Sequence, residues 1–251
     1  MSGLSVVIPC YNEEGSIGPF LRELAAQARL FSRFEIIVVD DASRDGSAAV
    51  IRSLAAELPL RVITHPRNIG LGAAVRTGFN AATLDWLTYL PGDGHVPAEE
   101  VHKFLPYMAA YDLIITRAAA RPGATAYRRR ALTIYTVWVS AAFGLRLRDF
   151  NGAQTWRRSL WLRQPSGSDR PVSLAELLVR SRAAEPRMVE IEIDDLPRRD
   201  GRPANGSPRA ALRAAWQMVC LFVEEGRAGR WHFLRPVAPD RPEPLPLKRV
   251  A

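Results

Sequence analysis

Leu4-Ser5-Val6-Val7-Ile8-Pro9-Cys10-Tyr11-Asn12-Glu13-Glu14 begins as a short β-branched apolar run and stops abruptly in a polar loop. A continuous apolar run of this length marks a strand covered on both faces, as in a parallel sheet. Beyond it Ile17, Phe20, Leu21, Leu24 and Ala28 fall at helical spacing, so the loop opens a helix. The unit then recurs. Phe34-Glu35-Ile36-Ile37-Val38-Val39 predicts a second strand, and the loop from Asp40 to Ser47 caps a helix over 48–58. A third strand over 61–64 precedes a helix over 70–82, and a fourth over 86–90 ends in Pro91-Gly92-Asp93-Gly94-His95. This alternation predicts an α/β fold with a Rossmann-like, mostly parallel central sheet flanked by helices.

Right-handed crossovers bring the carboxyl ends of such strands to one edge, where ligands bind. The polar residues of this sequence fall at those ends: Tyr11 and Glu13, Asp40 and Asp41, Asn68, then Asp93 and His95. One cleft is therefore expected to collect them. The second half is less regular, with helices expected over 101–110, 126–145, 174–182 and 208–225 and strands over 113–115 and 188–193. After Trp231 come Pro236, Pro239, Pro242, Pro244 and Pro246, a composition that reads as a dangling tail.

With 251 residues, 47% apolar and 24% charged, the chain has enough length and apolar content for a real core, which excludes wholesale disorder. No apolar run approaches the roughly 20 residues of a spanning helix, and no signal peptide is apparent. Two cysteines, Cys10 and Cys220, are too few for a disulfide framework, so a reducing compartment is expected. The expected location is cytoplasmic, with peripheral attachment to the inner face of a membrane as an option.

The net charge of +8 is uneven. Residues 1–113 carry 9 basic and 13 acidic side chains, whereas 114–170 carry 11 basic and 2 acidic. Nearly all the cations are arginines, which suit bidentate contacts to phosphate. Nucleic acid, an anionic membrane surface and a phosphorylated substrate compete as partners. Without an RNA-binding motif or interleaved aromatics, no nucleic-acid partner is expected.

Three ordered segments carry a family resemblance: Ser5 to Glu14, Val38 to Ser47, and Asn68-Ile69-Gly70-Leu71-Gly72-Ala73-Ala74-Val75-Arg76-Thr77-Gly78. Together they resemble the signatures of family 2 glycosyltransferases. Beyond residue 100, Arg117, the Arg129-to-Thr133 spacing, Asp149-Phe150-Asn151-Gly152, Arg157-Arg158 and Arg198-Arg199-Asp200-Gly201 look most like polyprenyl-phosphate glycosyltransferases of the dolichol-phosphate mannose synthase type. The resemblance implies a GT-A fold and inverting transfer of a hexose from a UDP- or GDP-sugar to a polyprenyl phosphate. It divides the chain into a nucleotide-sugar-binding half (1–110), an acceptor-side half with a helical C-terminal region (111–230) and the Pro-rich tail (231–251).

By the same resemblance Pro9, Tyr11, Glu13, Asp40, Asp41, Asn68, Gly70, Arg76, Gly92, Asp93, His95 and Arg198 are expected to bind the nucleotide sugar. Arg117, Arg129, Asp93 and Asp149 are the expected catalytic set, with the arginines on the diphosphate or the acceptor phosphate. In the family an Asp-x-Asp after the fourth strand holds a divalent ion. Here Pro91 stands at the first position and Asp93 remains, so Mg²⁺ or Mn²⁺ would rest on Asp93 and His95. An alcohol acceptor would need a general base near Asp149, whereas a phosphate acceptor would not. Glu176 is a further carboxylate that reads as a helix-face residue. Two other readings stay open: the same chemistry on a soluble or cell-envelope precursor, and a non-catalytic nucleotide-sugar-binding relative.

Overall fold

The computed structural model describes residues 3–120, 125–164, 173–197, 208–227 and 235–242. The opening run forms β1 (Leu4–Cys10), followed by α1 (Glu14–Ala26), β2 (Phe34–Asp40), α2 (Ser47–Glu57), β3 (Leu60–Thr64), α3 (Leu71–Ala81) and β4 (Trp86–Tyr89). These four strands pair in parallel in the order β3-β2-β1-β4, with Leu4 beside Phe34 and Cys10 beside Asp40. All four therefore end at one edge, as the alternation predicts. β5 (Leu113–Ala118), α4 (Ala126–Phe143), β6 (Gln154–Arg157), α5 (Arg158–Trp161), α6 (Leu174–Ser181), β7 (Met188–Ile193) and α7 (Pro208–Arg227) complete the chain.

Alternate residues of each strand feed two core layers. Val7, Ile37, Val39, Leu87 and Tyr89 face one layer, closed by α3, α4, α6 and α7 through Phe79, Phe143, Leu178 and Met218. Leu4, Val6, Ile8, Ile36, Val38 and Trp86 face the other, closed by α1 and α2 through Phe20, Leu24 and Leu54. α3 lies so close to β1 that a Cβ on Gly78 would meet Val7 Cγ1 at 2.2 Å. Only glycine lets backbone and side chain approach to that distance.

Three features differ from the expectations. Residues Ala98–Tyr107 form a 3-10 helix rather than an α-helix. Pro106, inside it, has no N–H to donate and its ring obstructs the α-helical turn before it. The sheet also contains a strand that periodicity did not reveal: β6 inserts between β4 and β5, antiparallel to both. Its four residues, Gln-Thr-Trp-Arg, are too few and too polar to display a period of two, and they are stabilised through their partners. Thr155 donates to Thr88 Oγ1 at 2.9 Å, and Arg157 stacks 4.9 Å over the Trp86 ring while donating to Asp112 at 3.2 Å.

The third difference concerns the tail. Residues 235–242 do not dangle: Asp240 N donates to the Met188 carbonyl, and Glu190 N to that of Asp240, both at 2.9 Å. Val237 pairs with Leu145 in the same manner. Proline suits such an edge because it donates no ladder hydrogen bond, and here Pro236 and Pro239 flank the bonded residues. Pro244 and Pro246 lie outside the described residues.

Candidate functional site at the strand-end edge

The loop after β1 and the loop after β2 are stitched together by backbone-to-side-chain bonds. Asn12 N donates to Ser43 Oγ at 3.1 Å and Arg44 N returns a bond to Asn12 Oδ1 at 2.8 Å. Glu13 N donates to Ser47 Oγ at 2.8 Å, and Gly46 N to Glu14 Oε2 at 2.9 Å. Asn12 and Ala42 take positive φ (56° and 61°), a conformation that these cross-links hold against its local cost. Ser16 joins the third loop, its hydroxyl 3.1 Å from the Gly92 carbonyl and 3.2 Å from Glu13 Oε2. The polar loops after β1, β2 and β4 thus form one connected rim. Beneath it, burial foremost and then the charge of Asp40 push the Cys10 thiol up to about 12.

Asp41 anchors a fourth loop. Its Oδ1 accepts from Ile69 N at 3.0 Å and its Oδ2 from Gly70 N at 2.8 Å. His65 Nδ1 lies 2.7 Å from Oδ1, and His65 Nε2 lies 3.0 Å from Thr77 Oγ1 on α3. A carboxylate offers about four acceptor positions, so these bonds use most of them. Gly70 precedes α3 at φ 94°, ψ 162°, and an added Cβ there would point into open space. Only the backbone demands glycine, and a helix N-terminus is left accessible beside the rim. Asp40 is buried as well, with Oδ1 accepting from Ser43 N at 3.0 Å.

After β4 the chain turns through Gly92, Asp93 and Gly94, all buried, with Gly94 at φ 67°. Asp93 Oδ1 pairs with His95 Nδ1 and also accepts from His95 N at 3.2 Å. The His95 carbonyl accepts from Leu196 N at 2.7 Å, which brings the segment after β7 against this turn. Arg198 itself lies outside the described residues. Asp93 supplies oxygen and His95 directs Nδ1 at it, leaving Nε2 as the ring's outward donor atom. Among the described residues no group of three His, Cys, Asp or Glu side chains gathers around a common point. With Nδ1 turned to Asp93, Nε2 points away from that carboxylate, so one ion cannot take both residues as they are placed: Asp93 alone offers the oxygen that suits Mg²⁺ or Mn²⁺, which draw their other ligands from water and substrate oxygens, and His95 holds Asp93.

The acceptor-side residues lie on β5, on α4 and in the loop before β6. Tyr89 closes β4, and its phenol is pushed upward by burial and then by the charge of Asp149. Its hydroxyl donates to the Gly152 carbonyl at 2.9 Å, so the loop carrying Asp149 lies against the end of β4. A Cβ on Gly152 would fall 1.6 Å from the Thr116 carbonyl oxygen, so this close approach requires glycine. Asp149 Oδ1 accepts from Asn151 N at 2.9 Å. Arg117, near the end of β5, is ion-paired with Glu192, its neighbour in register on β7. Arg129 is exposed in the first turn of α4, and Arg76 is half-buried on α3.

Pro9, Tyr11, Glu13, Asp40, Asp41, Asn68, Gly70, Gly92, Asp93 and His95 thus belong to strand ends or loops of one edge. Arg157 and Arg158, part of the family resemblance, serve the scaffold. Arg157 donates to Asp112 and to the Met108 and Tyr111 carbonyls, and Arg158 to the Ala82 carbonyl at 3.1 Å. Glu176 is ion-paired at 2.9 Å with Arg180, which also reaches Glu225 on α7. Sequence reasoning passed over His65 and Ser16. His65 directly follows the last residue of β3, so the strand-end rule that selected Asp40 would have found it.

The model of glycosyl transferase family 2 matches residues 5–168. An undecaprenyl-phosphate 4-deoxy-4-formamido-L-arabinose transferase of Photorhabdus laumondii is 36% identical over 152 residues, 59% of this chain and 46% of the relative. The chain spans about half the length of the curated relatives it matches. Crystal structures of similar fold include glucosyl-3-phosphoglycerate synthase from Mycobacterium tuberculosis in complex with Mn²⁺, UDP and phosphoglyceric acid. It has a TM-score of 0.67 at 18% identity, covering 88% of this chain and 78% of that one. Mannosyl-3-phosphoglycerate synthase from Rubrobacter xylanophilus gives the same score and identity over 90% and 75%. The mostly parallel sheet is thus a GT-A fold, and with a family match over well more than half its length, the chain belongs to glycosyl transferase family 2.

Proposed function

We propose that the chain transfers a hexose from a nucleotide-diphosphate sugar to a polyprenyl phosphate, with inversion at the anomeric carbon. The observation that carries this reading is the single rim in which Ser16 ties the β1 loop to the β4 turn and Asp41 ties the β2 end to Gly70. A nucleotide needs polar contacts for its base and ribose; Tyr11, Glu13, Asp40 and the spare acceptor capacity of Asp41 are the groups assigned to it. The diphosphate would lie toward Asp93, His95 and the N-terminus of α3, whose amides and dipole favour anions. Mg²⁺ or Mn²⁺, resting on Asp93 with His95 orienting that carboxylate, would neutralise charge on the departing diphosphate.

In the transfer the anomeric C–O bond to the diphosphate breaks as a new bond forms to an acceptor oxygen on the opposite face. A phosphate acceptor is already anionic, so no side chain has to remove a proton from it. Asp149 is then a positioning group for the acceptor loop. Arg129 and Arg198 are assigned to the acceptor phosphate or the diphosphate; Arg117 would join them by exchanging Glu192 for phosphate. The names of the relatives support the polyprenyl-phosphate acceptor. The test is incubation with radiolabelled UDP-glucose or GDP-mannose and either undecaprenyl phosphate or water-soluble 3-phosphoglycerate. Label in an organic-extractable product supports the proposal. Label only in a water-soluble product assigns a soluble acceptor, and no turnover of either donor leaves a non-catalytic relative.

A further inference from the structure

Arg117 and Glu192 meet at the outer end of two neighbouring strands. On β5, Leu113 and Ile115 enter the core layer closed by α3, α4, α6 and α7, and Arg117 is next on that face. On β7, Met188 enters the same layer, and Glu190 and Glu192 follow it at intervals of two. In the parallel register Arg117 stands beside Glu192, each the last residue but one of its strand, and the two are ion-paired. β6 is antiparallel to both β4 and β5, so β5 runs in the direction of β4. β5 and its parallel neighbour β7 therefore end at the edge where β4 ends. Parts of the site lie on either hand. Arg148 N donates to Glu190 Oε1 at 2.7 Å and Gly152 packs against the Thr116 carbonyl, so the loop carrying Asp149 is held to both strands next to the pair. Four residues beyond Glu192, Leu196 N donates to the His95 carbonyl at 2.7 Å, where the chain meets the Asp93 turn.

The pair is an open one: 26% of the Arg117 side chain and 42% of the Glu192 side chain are exposed. Such a contact adds little to stability, since water solvates the two ions nearly as well apart. It leaves the guanidinium available to a stronger anion. We propose that Glu192 is a returning counter-ion, which yields Arg117 to the acceptor phosphate before transfer and reclaims it afterwards. The step rests on the phosphate acceptor proposed above, and it follows from charge. A phosphate monoester carries about 1.5 to 2 negative charges at neutral pH, more than the single charge of Glu192, and meets a guanidinium through two oxygens. In transfer, one of its oxygens forms the bond to the anomeric carbon as the C–O bond to the diphosphate breaks, and that electron pair leaves with the diphosphate. The acceptor phosphate is then a diester with a single negative charge, no more than Glu192 offers. Glu192 is tethered on the adjoining strand, so it competes at high effective concentration, recovers Arg117 and favours release of the product. The donor changes in the opposite sense, since its diphosphate gains charge on departure, which fits the exchange to the acceptor.

The experiment measures dissociation constants by isothermal titration with citronellyl phosphate, its methyl diester and UDP, on the unaltered chain, Glu192→Gln, Arg117→Gln and the double variant. Glutamine has the size of glutamate, and at an exposed position the fold is expected to stay intact, which the melting temperature checks. Glu192→Gln should bind monoester and diester each about two- to fivefold more tightly, the worth of a partly exposed ion pair. The same change made in Arg117→Gln should have no effect, because the counter-ion acts through that cation. With citronellyl phosphate as acceptor, KM should fall in Glu192→Gln while inhibition by the diester strengthens; a pair that only supports the fold would move neither in that direction. Unchanged or weaker binding of both esters in Glu192→Gln overturns the inference, as does no binding by any chain. So does tightening that survives in Arg117→Gln, or tightening of UDP alone, which would put Arg117 on the donor. Transfer to undecaprenyl phosphate reports on the proposed function separately: it can proceed with Glu192 inert, and the esters can bind more tightly without transfer.

Discussion

Asp41 and His65 are joined side chain to side chain at 2.7 Å, and Thr77 completes the line at 3.0 Å from the far ring nitrogen. All of this lies under the Ile69–Gly70 amides that Asp41 also holds. The imidazole therefore fixes the carboxylate, and the carboxylate fixes the loop that leads into α3. His65→Ala should cost about 1–3 kcal/mol by leaving Asp41 with a buried bond unmade. Faster amide exchange at Ile69 and Gly70, with weaker donor binding, would accompany it. Unaltered exchange at those two amides would show that His65 does not position the loop.

Two glycines of the site should respond to a methyl group with very different losses of stability. Gly152→Ala drives a Cβ into the Thr116 carbonyl and is expected to destabilise by more than about 4 kcal/mol or to prevent folding. Gly70→Ala meets no atom within 4 Å and should cost only about 1–3 kcal/mol, from a backbone at φ 94° and ψ 162° that almost only glycine adopts. Urea denaturation of the two variants checks the order.

The buried Cys10 thiol, held at about 12 against an ordinary 9.0, should be unreactive in the native chain. Dithionitrobenzoate at pH 8 is expected to titrate Cys220 alone, and both cysteines after denaturation. The linkage has one sign: the folded state keeps the Cys10 proton where the unfolded state releases it. That stabilisation is fully present below about pH 9 and is lost as the pH rises toward 12.

Glu190 connects the tail to the acceptor loop. Its Oε1 accepts from Arg148 N at 2.7 Å and its Oε2 from Arg241 Nε at 3.1 Å, while Arg241 also donates to the Arg146 carbonyl at 2.7 Å. Removing residues 235–251 should therefore loosen the loop beside Asp149. The truncated chain is expected to keep donor binding and to lose transfer, which separate binding and turnover assays would show. Equal transfer by the two chains would mean that the tail only covers the sheet edge.

The donor-side half was legible because its physics is local. Each apolar run is short and bounded by polar residues, and each polar cluster follows a strand, so the run from Leu4 and the Asp40-Asp41 pair announced both the strand ends and their shared edge. β6 was not legible, since its stability comes from Thr88, Trp86 and Asp112, all distant in sequence. Residues 235–242 were misjudged for the same reason: composition describes prolines as unstructured, whereas Asp240 finds its partners on β7. Arginine count likewise does not tell which cations are structural: Arg157, Arg158 and Arg180 are committed to internal bonds that only the fold reveals.

The most direct test of the account is thermal-shift titration with UDP-glucose and GDP-mannose, with and without Mn²⁺, on the unaltered chain and on Asp93→Asn. A donor present at about 100 times its dissociation constant should stabilise the chain by about 2.7 kcal/mol. The expected shift is selective for one nucleotide, dependent on Mn²⁺ and lost in Asp93→Asn, whose own melting temperature without ligand stays close to that of the unaltered chain. Absence of any shift with either donor, or an equal shift in Asp93→Asn, would contradict the assignment of the nucleotide-sugar site to this edge.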